Sequence, residues 1–392
     1  MDKITFCIPS KSNLRYLKSC IASIRVNSFR KDHDIIVFVD EDTDGTVEWL
    51  EENKEKYHIT YFVNPYIGGR LFGIGKAYDY CIEKSTTDIF MIFHADMILG
   101  KDADLLGFNC LERKAITCLT RIEPPLHPNN GEKIQLDFGI YPEDFKEGAF
   151  NKEVERLITV NKGKTTEGIF APWMMYRDEF LALGGHDPRM HSCREDSDVF
   201  NRMYLDGFKF VQVWDALVYH FTGRGAGSFS GDKDRHEKWK KDMNNSTMEF
   251  IRKWGQNVRH TSLMRPIVHP KYDIGLIIKN CNANLLSVVE PWCNVLYIDE
   301  SADKSMVDNY ITLEQPNTSI DLFWKIRPYD NEKNNEILVE IDGKTFNQED
   351  FNILTNLSEI IKNSGEVGRF SLANLVIEII QMNEYQNRLI RL

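Results

Sequence analysis

The sequence predicts an α/β protein with a mostly parallel sheet and a second, smaller α/β domain behind it. Three observations carry that reading. Short β-rich runs alternate with helical periodicity through the first hundred residues. The runs are apolar throughout rather than alternating, which marks strands covered on both faces, the signature of a parallel sheet. A further set of such runs begins after the proline-flanked segment Pro266 to Pro270.

Ile4 to Ile8 is the first apolar run, ended by Pro9-Ser10, and Leu14, Leu17, Ile21 and Ile24 then follow helical spacing. Ile35 to Val39 reads as a second strand, followed by the acidic turn Asp40 to Gly45 and a helix through Trp49 and Leu50. Ile59 to Val63 is a third strand. A glycine-rich stretch from Gly68 to Gly75 leads into a helix over Ala77 to Ile82, and Ile89 to Phe93 is a fully apolar strand. Four prolines between Pro124 and Pro142 make residues 121–164 read as a loop-rich excursion. Phe210 to His220 is a further strand, and a helical segment passes through Phe250 and Trp254.

Pro266 to Pro270 reads as a linker, which divides the chain into residues 1–265 and 266–392. In the second part, Asp273 to Lys279, Asn294 to Asp299, Ile320 to Ile326 and Ile337 to Asp342 read as strands. Leu372, Leu375, Val376, Ile379 and Ile380 read as one face of a final helix.

Composition narrows the function. Against 48 Lys and Arg stand 59 Asp and Glu, a net charge of -11, which disfavours a general nucleic-acid binder. The eight cysteines include no CxxC pair, so they read as buried thiols of a reducing compartment rather than a disulfide or zinc framework. The start lacks a signal-peptide pattern, and no run approaches the length of a membrane span. A cytoplasmic protein is the expectation.

A parallel sheet binds ligands beyond the carboxyl ends of its strands. Those ends carry Pro9-Ser10, Asp40-Glu41-Asp42 and His94-Ala95-Asp96, so three polar clusters are expected on one edge. Asp40, Asp42, Asp44, Gly45 and Glu51 also match a calcium-loop pattern, but an EF-hand needs an entering helix and Ile35 to Val39 is β-branched. A strand-end carboxylate before a helix is the better account. His94 and Asp96 are two apart on an extended segment, so they can face one ligand; a strand-end cap beside a surface histidine is the bland alternative.

Glu195, Asp196 and Asp198 open a helix, where carboxylates suit the dipole or supply a general base. Tyr219-His220 ends another strand and offers an imidazole. Gly223 to Ser228 could wrap a diphosphate, a weak signal by itself. The basic segment Lys233, Arg235, Lys238, Lys240 and Lys241 is interleaved with acids and reads as a solvated helix face. The sharper reading is a steering surface for an anionic donor or a lipid-phosphate acceptor at a membrane.

Taken in order, these pieces resemble glycosyltransferase family 2, enzymes of the GT-A fold. Ile8 to Asn13 is similar to the family's opening strand and loop, and Val39 to Thr46 to its acidic turn. His94-Ala95-Asp96 stands where the family has its DxD motif. Gly184-Gly185-His186-Asp187 followed by Glu195-Asp196 is similar to its GG and ED signatures, and Tyr219-His220 to its late histidine. The resemblance spans residues 4–255 and departs from the pattern at His94, His186 and Glu41.

What the resemblance implies is a Rossmann-like GT-A domain that moves a hexosyl or N-acetylhexosaminyl group from a nucleotide sugar, UDP most commonly, to an acceptor hydroxyl with inversion. The acceptor would be a glycan, a protein or a lipid carrier. Pro9, Ser10, Asp40, Arg70 and Asp96 would hold the donor, with Arg224 helping at the diphosphate. Asp96, His220 and His94 would form the metal site, and imidazole ligands favour Mn²⁺ over Mg²⁺. Asp196 would be the general base, with Glu195 its substitute. A retaining transferase, a non-catalytic sugar-binding module and a nucleotidyltransferase are the competing readings.

Overall fold

The computed structural model describes residues 1–66, 71–223 and 233–392. It divides into two compact units: residues 1–241 with 260–267 and Leu392, and residues 242–259 with 268–391.

In the first unit the chain alternates as the sequence leads one to expect. It runs β1 (Ile4–Lys11), α1 (Leu14–Asn27), β2 (Asp34–Glu41), α2 (Thr46–Tyr57), β3 (Ile59–Val63), α3 (Ile74–Lys84) and β4 (Ile89–Ile92). Then come β5 (Met97–Leu99), α4 (Ala103–Phe108), β6 (Ala115–Glu123), β7 (Ile134–Gln135), α5 (Glu147–Val160) and β8 (Thr165–Thr166). After these follow β9 (Trp173–Tyr176), α6 (Arg177–Ala182), α7 (Glu195–Leu205), β10 (Lys209–His220) and the start of α8 (Lys233–Trp254), whose residues from 242 on belong to the second unit. The sheet order is β3-β2-β1-β4-β9-β6-β10-β5. The first four strands are parallel, as are β6 and β10, whereas β9 and β5 run antiparallel to their neighbours.

The core follows from the double-sided burial of the parallel strands. Phe6, Ile8, Val37, Val39 and Met91 are sealed, and Leu17, Ile21 and Ile24 of α1 pack on the same cluster. Because β1, β2 and β4 are parallel, Ser10, Asp40 and the residues after Ile92 all emerge on one edge.

Residues 121–164 are more ordered than expected. β6 continues to Glu123, and α5 buries Phe150, Val154 and Leu157. Proline density around residue 125 masks that periodicity, since prolines confined to the connection leave the following helix intact.

The second unit has a sheet ordered β13-β12-β11-β14-β16-β15. Its parallel part is β11 (Ile274–Lys279), β12 (Val295–Ile298), β13 (Ile326–Pro328) and β14 (Ile337–Asp342). Helices α9 (Ala283–Val289), α10 (Lys304–Glu314) and α11 (Leu322–Lys325) lie between the first three in sequence, and α12 (Gln348–Thr355) and α13 (Leu357–Ser364) follow β14. The segment expected as a strand over 320–326 is α11, because the Asp321 side chain accepts the Trp324 N–H and caps a helical turn. Only Ile326 to Pro328 is extended.

The expected final helix is instead a hairpin, β15 (Gly368–Leu372) and β16 (Leu375–Ile379). The residues that face the core are Leu375, Ile377 and Ile379, a period of two. Val376 fits the helical stripe equally well but lies on the opposite face, so tertiary pairing with β14 decides between the two periods.

The would-be calcium loop is a helix cap. Asp42 accepts the N–H groups of Gly45 and Thr46 at Oδ1 and of Val47 at Oδ2, each at 2.9 Å. Burial works against its ionisation, but these amides prevail and lower the carboxyl below its ordinary value. Asp42→Ala is therefore expected to cost about 1 kcal/mol in denaturant unfolding. The folded-state pKa is depressed, so the wild-type advantage is present above about pH 4 and lost as pH falls through the folded value. Calcium should leave the melting temperature of the wild type unchanged; a rise would restore the metal-loop reading.

Candidate active site

Three side chains meet where β4 and β10 end and β5 begins. β10 pairs antiparallel with β5, setting His220 opposite Met97, and the Phe221 N–H donates to the Asp96 carbonyl at 3.0 Å. His220 Nε2 is thereby brought 3.4 Å from Asp96 Oδ1, and the His94 and His220 rings stand 5.3 Å apart, edge to face. One ligand atom from each of His94, Asp96 and His220 lies within 4.8 Å of the others. Two imidazoles and one carboxylate form a donor set suited to a borderline divalent cation, with positions left for phosphate oxygens. The residues present fit a catalytic metal.

His220 is held from its other side. Its Nδ1 lies 2.8 Å from Glu123 Oε1 and 3.2 Å from Thr222 Oγ1. Glu123 is buried and also meets Arg121 Nη1 at 2.6 Å and Lys133 Nζ at 2.9 Å. Burial opposes its ionisation, but His220, Arg121 and Lys133 hold the carboxyl well below the usual range. For His220, burial lowers the pKa, yet Asp96 and Glu123 outweigh it and push the imidazole up to about 9. His94 moves the other way, to about 4, because burial and the charge of His220 both favour its neutral form.

Asp40 lies at the same sheet edge, 7% exposed. Its Oδ1 accepts Asn64 Nδ2 at 2.8 Å and the Phe72 N–H at 2.6 Å, and its Oδ2 accepts the Gly73 N–H at 3.1 Å. It ties the start of α3 to the end of β2. Gly73 has φ +95°, and an added Cβ would sit 2.9 Å from the His191 carbonyl, so glycine is required there. Ser10 is buried and donates to Asn13 Oδ1 at 2.7 Å, while Pro9 lies half-buried beside it. Arg70 and Arg224 lie outside the described residues.

At the start of α7 the three carboxylates part ways. Asp198 is fully buried and grips Arg202 at 2.9 Å, and Arg202 donates to the Leu183 and Gly185 carbonyls, so this pair braces the double-glycine turn. Asp196 Oδ1 accepts the Ser197 N–H. Glu195 packs against Gly75 of α3, where an added Cβ would come 3.3 Å from its own Cβ. Among the described residues Glu195 Oε2 and the Tyr78 hydroxyl are buried without a hydrogen-bond partner. Burial pushes the Glu195 carboxyl up to about 8, and Asp196 beside it adds to the rise. Burial, with the charges of Glu195 and Asp96 adding to it, raises the Tyr78 phenol.

Residues 5–181 match the family model described as "Glycosyl transferase family 2". That stretch is a glycosyl transferase family 2 domain. The family is one of glycosyltransferase enzymes, and the domain's sheet is mixed and mostly parallel, as the sequence leads one to expect. His94, Asp96, Asp40 and Ser10 fall inside the matched residues; Glu195, Asp196 and His220 lie beyond them.

Solved structures similar to the chain include that of GalNAc-T7 with UDP, GalNAc and Mn²⁺, at 12% identity and a TM-score of 0.42, covering 64% of this chain and 50% of that one. TarS of S. aureus is 11% identical, with a TM-score of 0.42, covering 64% of this chain and 44% of that one. The mannosyltransferase PcManGT from Pyrobaculum calidifontis, in complex with GDP-Man and Mn²⁺, is 13% identical, with a TM-score of 0.41 and coverage of 63% and 62%. The chain thus spans half the length of the first of these proteins and less than half of the second. Among curated proteins none matches the sequence.

Sequence reasoning about the family 2 domain passed over Glu123, Arg121, Tyr78 and His191. Glu123 carried one visible signal, a carboxylate at the carboxyl end of an apolar run, but its strand had not been recognised.

The raised carboxyl of Glu195 carries a stability signature. Its folded-state pKa exceeds the unfolded value, so its contribution is present below about pH 4.5 and is lost as pH rises through about 8. Glu195→Gln, which mimics the neutral form, is expected to melt higher than wild type at about pH 9, with the gap closing at about pH 5. A constant gap across that range in pH-resolved thermal melts would contradict the assignment.

Proposed function

We propose that the protein is a metal-dependent inverting glycosyltransferase that moves a hexosyl or N-acetylhexosaminyl group from a UDP-sugar to an acceptor hydroxyl on a glycan, protein or lipid carrier. The observation that carries it is the convergence of His94, Asp96 and His220, with donor atoms within 4.8 Å, at the ligand-binding edge of a family 2 domain. Residues 1–265 form the transfer domain in this reading, and residues 266–392 an accessory domain.

Asp96, His220 and His94 hold the divalent cation, and the two imidazoles favour Mn²⁺ over Mg²⁺. When bound, the ion supplies charge stabilisation for the departing diphosphate. Pro9, Ser10 and Asp40 receive the base and ribose. A carboxylate offers about four acceptor directions. Asn64, Phe72 and Gly73 occupy three of those on Asp40, leaving one on Oδ2 for a donor hydroxyl or imide. Arg70 contributes at the donor, and Arg224 at the diphosphate.

Asp196 is the general base that takes the acceptor proton as the new C–O bond forms. Burial raises the Glu195 carboxyl to about 8, which suits it poorly to take a proton near neutral pH and leaves the role to Asp196 beside it. Eight free thiols, six of them buried, support a cytoplasmic setting.

Calorimetric titration of UDP and of GDP, each with and without Mn²⁺, tests the donor site. Manganese-dependent binding of UDP in wild type, lost in Asp96→Ala, is the expected result; no nucleotide binding in either condition would move the reading to a non-catalytic module. Asp196→Asn should lower kcat by about 10²–10⁴-fold while Glu195→Gln retains most of it. Proton NMR of the product's anomeric linkage decides inversion against retention.

A further inference from the structure

The geometry points to Glu123 as a positioning residue, one that fixes the orientation of the His220 ring so that Nε2 is presented to a cation held with Asp96. The inference rests on the metal-site reading above and extends it to a residue beyond the ligands.

The argument starts from strand register. β6 and β10 run parallel, with Val213 opposite Leu119 but Leu217 opposite Thr120, so β10 carries three extra residues in a bulge. Past the bulge Tyr219 stands opposite Ile122, which brings His220 level with Glu123, the last residue of β6. The two side chains meet at 2.8 Å between Nδ1 and Oε1.

Charge then fixes the carboxylate that the ring meets. Glu123 is 1% exposed, and Arg121 and Lys133 contact one carboxylate oxygen each, at 2.6 and 2.9 Å. Arg121 is itself held in place by stacking on Phe170, 3.8 Å from the ring centroid. Arg121 and Lys133 can only donate to that carboxylate. Glu123 is therefore an acceptor held in place from two sides, and Nδ1 is the ring nitrogen of His220 that it engages. The nitrogen left for a metal is Nε2, which faces Asp96 Oδ1 at 3.4 Å. Such a carboxylate behind a histidine ligand fixes the tautomer and the ring plane, and its loss typically weakens metal affinity about 10–100-fold.

The test is Mn²⁺ binding alone, by calorimetry and by pulsed EPR of the bound ion, on wild type, Glu123→Ala and Glu123→Gln. The expected result is a dissociation constant raised about 10–100-fold in Glu123→Ala, with weaker ¹⁴N modulation from coordinated imidazole. Glu123→Gln keeps the side-chain volume and one acceptor oxygen and should fall between the two. It carries the test where removal of the carboxylate, with Arg121 and Lys133 left unpaired, prevents folding. A residue that only balances those two cations would leave the ¹⁴N modulation of the folded Gln variant unchanged. Wild-type affinity and modulation in the folded variants would overturn the positioning role while leaving the metal site standing. Failure of the wild type itself to bind Mn²⁺ would overturn both, and the two failures are told apart by the wild-type titration.

Discussion

The position of β10 between β6 and β5 is the constraint on which the site depends. Its antiparallel partner β5 begins one residue after Asp96, and its parallel partner β6 ends at Glu123. One strand terminus thus collects a carboxylate on each side of His220. Ladder hydrogen bonds along β10 set the strand positions from which these side chains reach one another.

Burying five charged or ionisable groups together carries a desolvation cost of several kcal/mol per ion unless each finds partners. Asp96, His220, Glu123, Arg121 and Lys133 offset it by alternation: each carboxylate meets a cation or a ring N–H, and no like charges pair directly. The second unit solves a similar problem around Glu290, which is fully buried and meets Arg252 at 2.5 Å and Lys325 at 2.6 Å. Burial opposes ionisation there too, yet Lys325 and Arg252 bring the Glu290 carboxyl down to about 2. That network is saturated by its own members, with Tyr310 and Glu249 at its margins. The cluster in the first unit instead ends in two imidazoles and a carboxylate whose ligand atoms lie within 4.8 Å of one another.

The start of α7 shows how position separates chemically similar groups. Glu195, Asp196 and Asp198 are indistinguishable by type, yet Asp198 is committed to Arg202 and the double-glycine turn. Gly185, with φ +75° and Asp79 Oδ2 only 2.8 Å from where a Cβ would lie, lets that turn close on Asp79, which also binds His186 at 2.6 Å. The histidine standing where the family pattern has another residue is therefore a packed, hydrogen-bonded brace. Glu195 and Asp196 are both half-buried, with Glu195 Oε2 itself shielded from solvent.

By itself the sequence determined the alternation of β1 to β4 with their helices and the shared edge of Ser10, Asp40 and Asp96. Strand runs are local properties, and local properties are written in neighbouring residues. His94 and Asp96 do share a cluster, but through a turn in which the Met97 N–H donates to the His94 carbonyl at 3.2 Å, not through the expected extended segment. Tertiary structure decided the rest. Whether Leu375 to Ile379 is helix or strand depended on β14 as a partner, since its apolar residues satisfy both periods. Glu123 became part of the site only through a three-residue bulge in β10 that slides His220 level with it. A bulge changes which residues face each other across a sheet without altering the hydrophobic pattern of either strand. No reading of one strand at a time contains that information, because register is a relation between two.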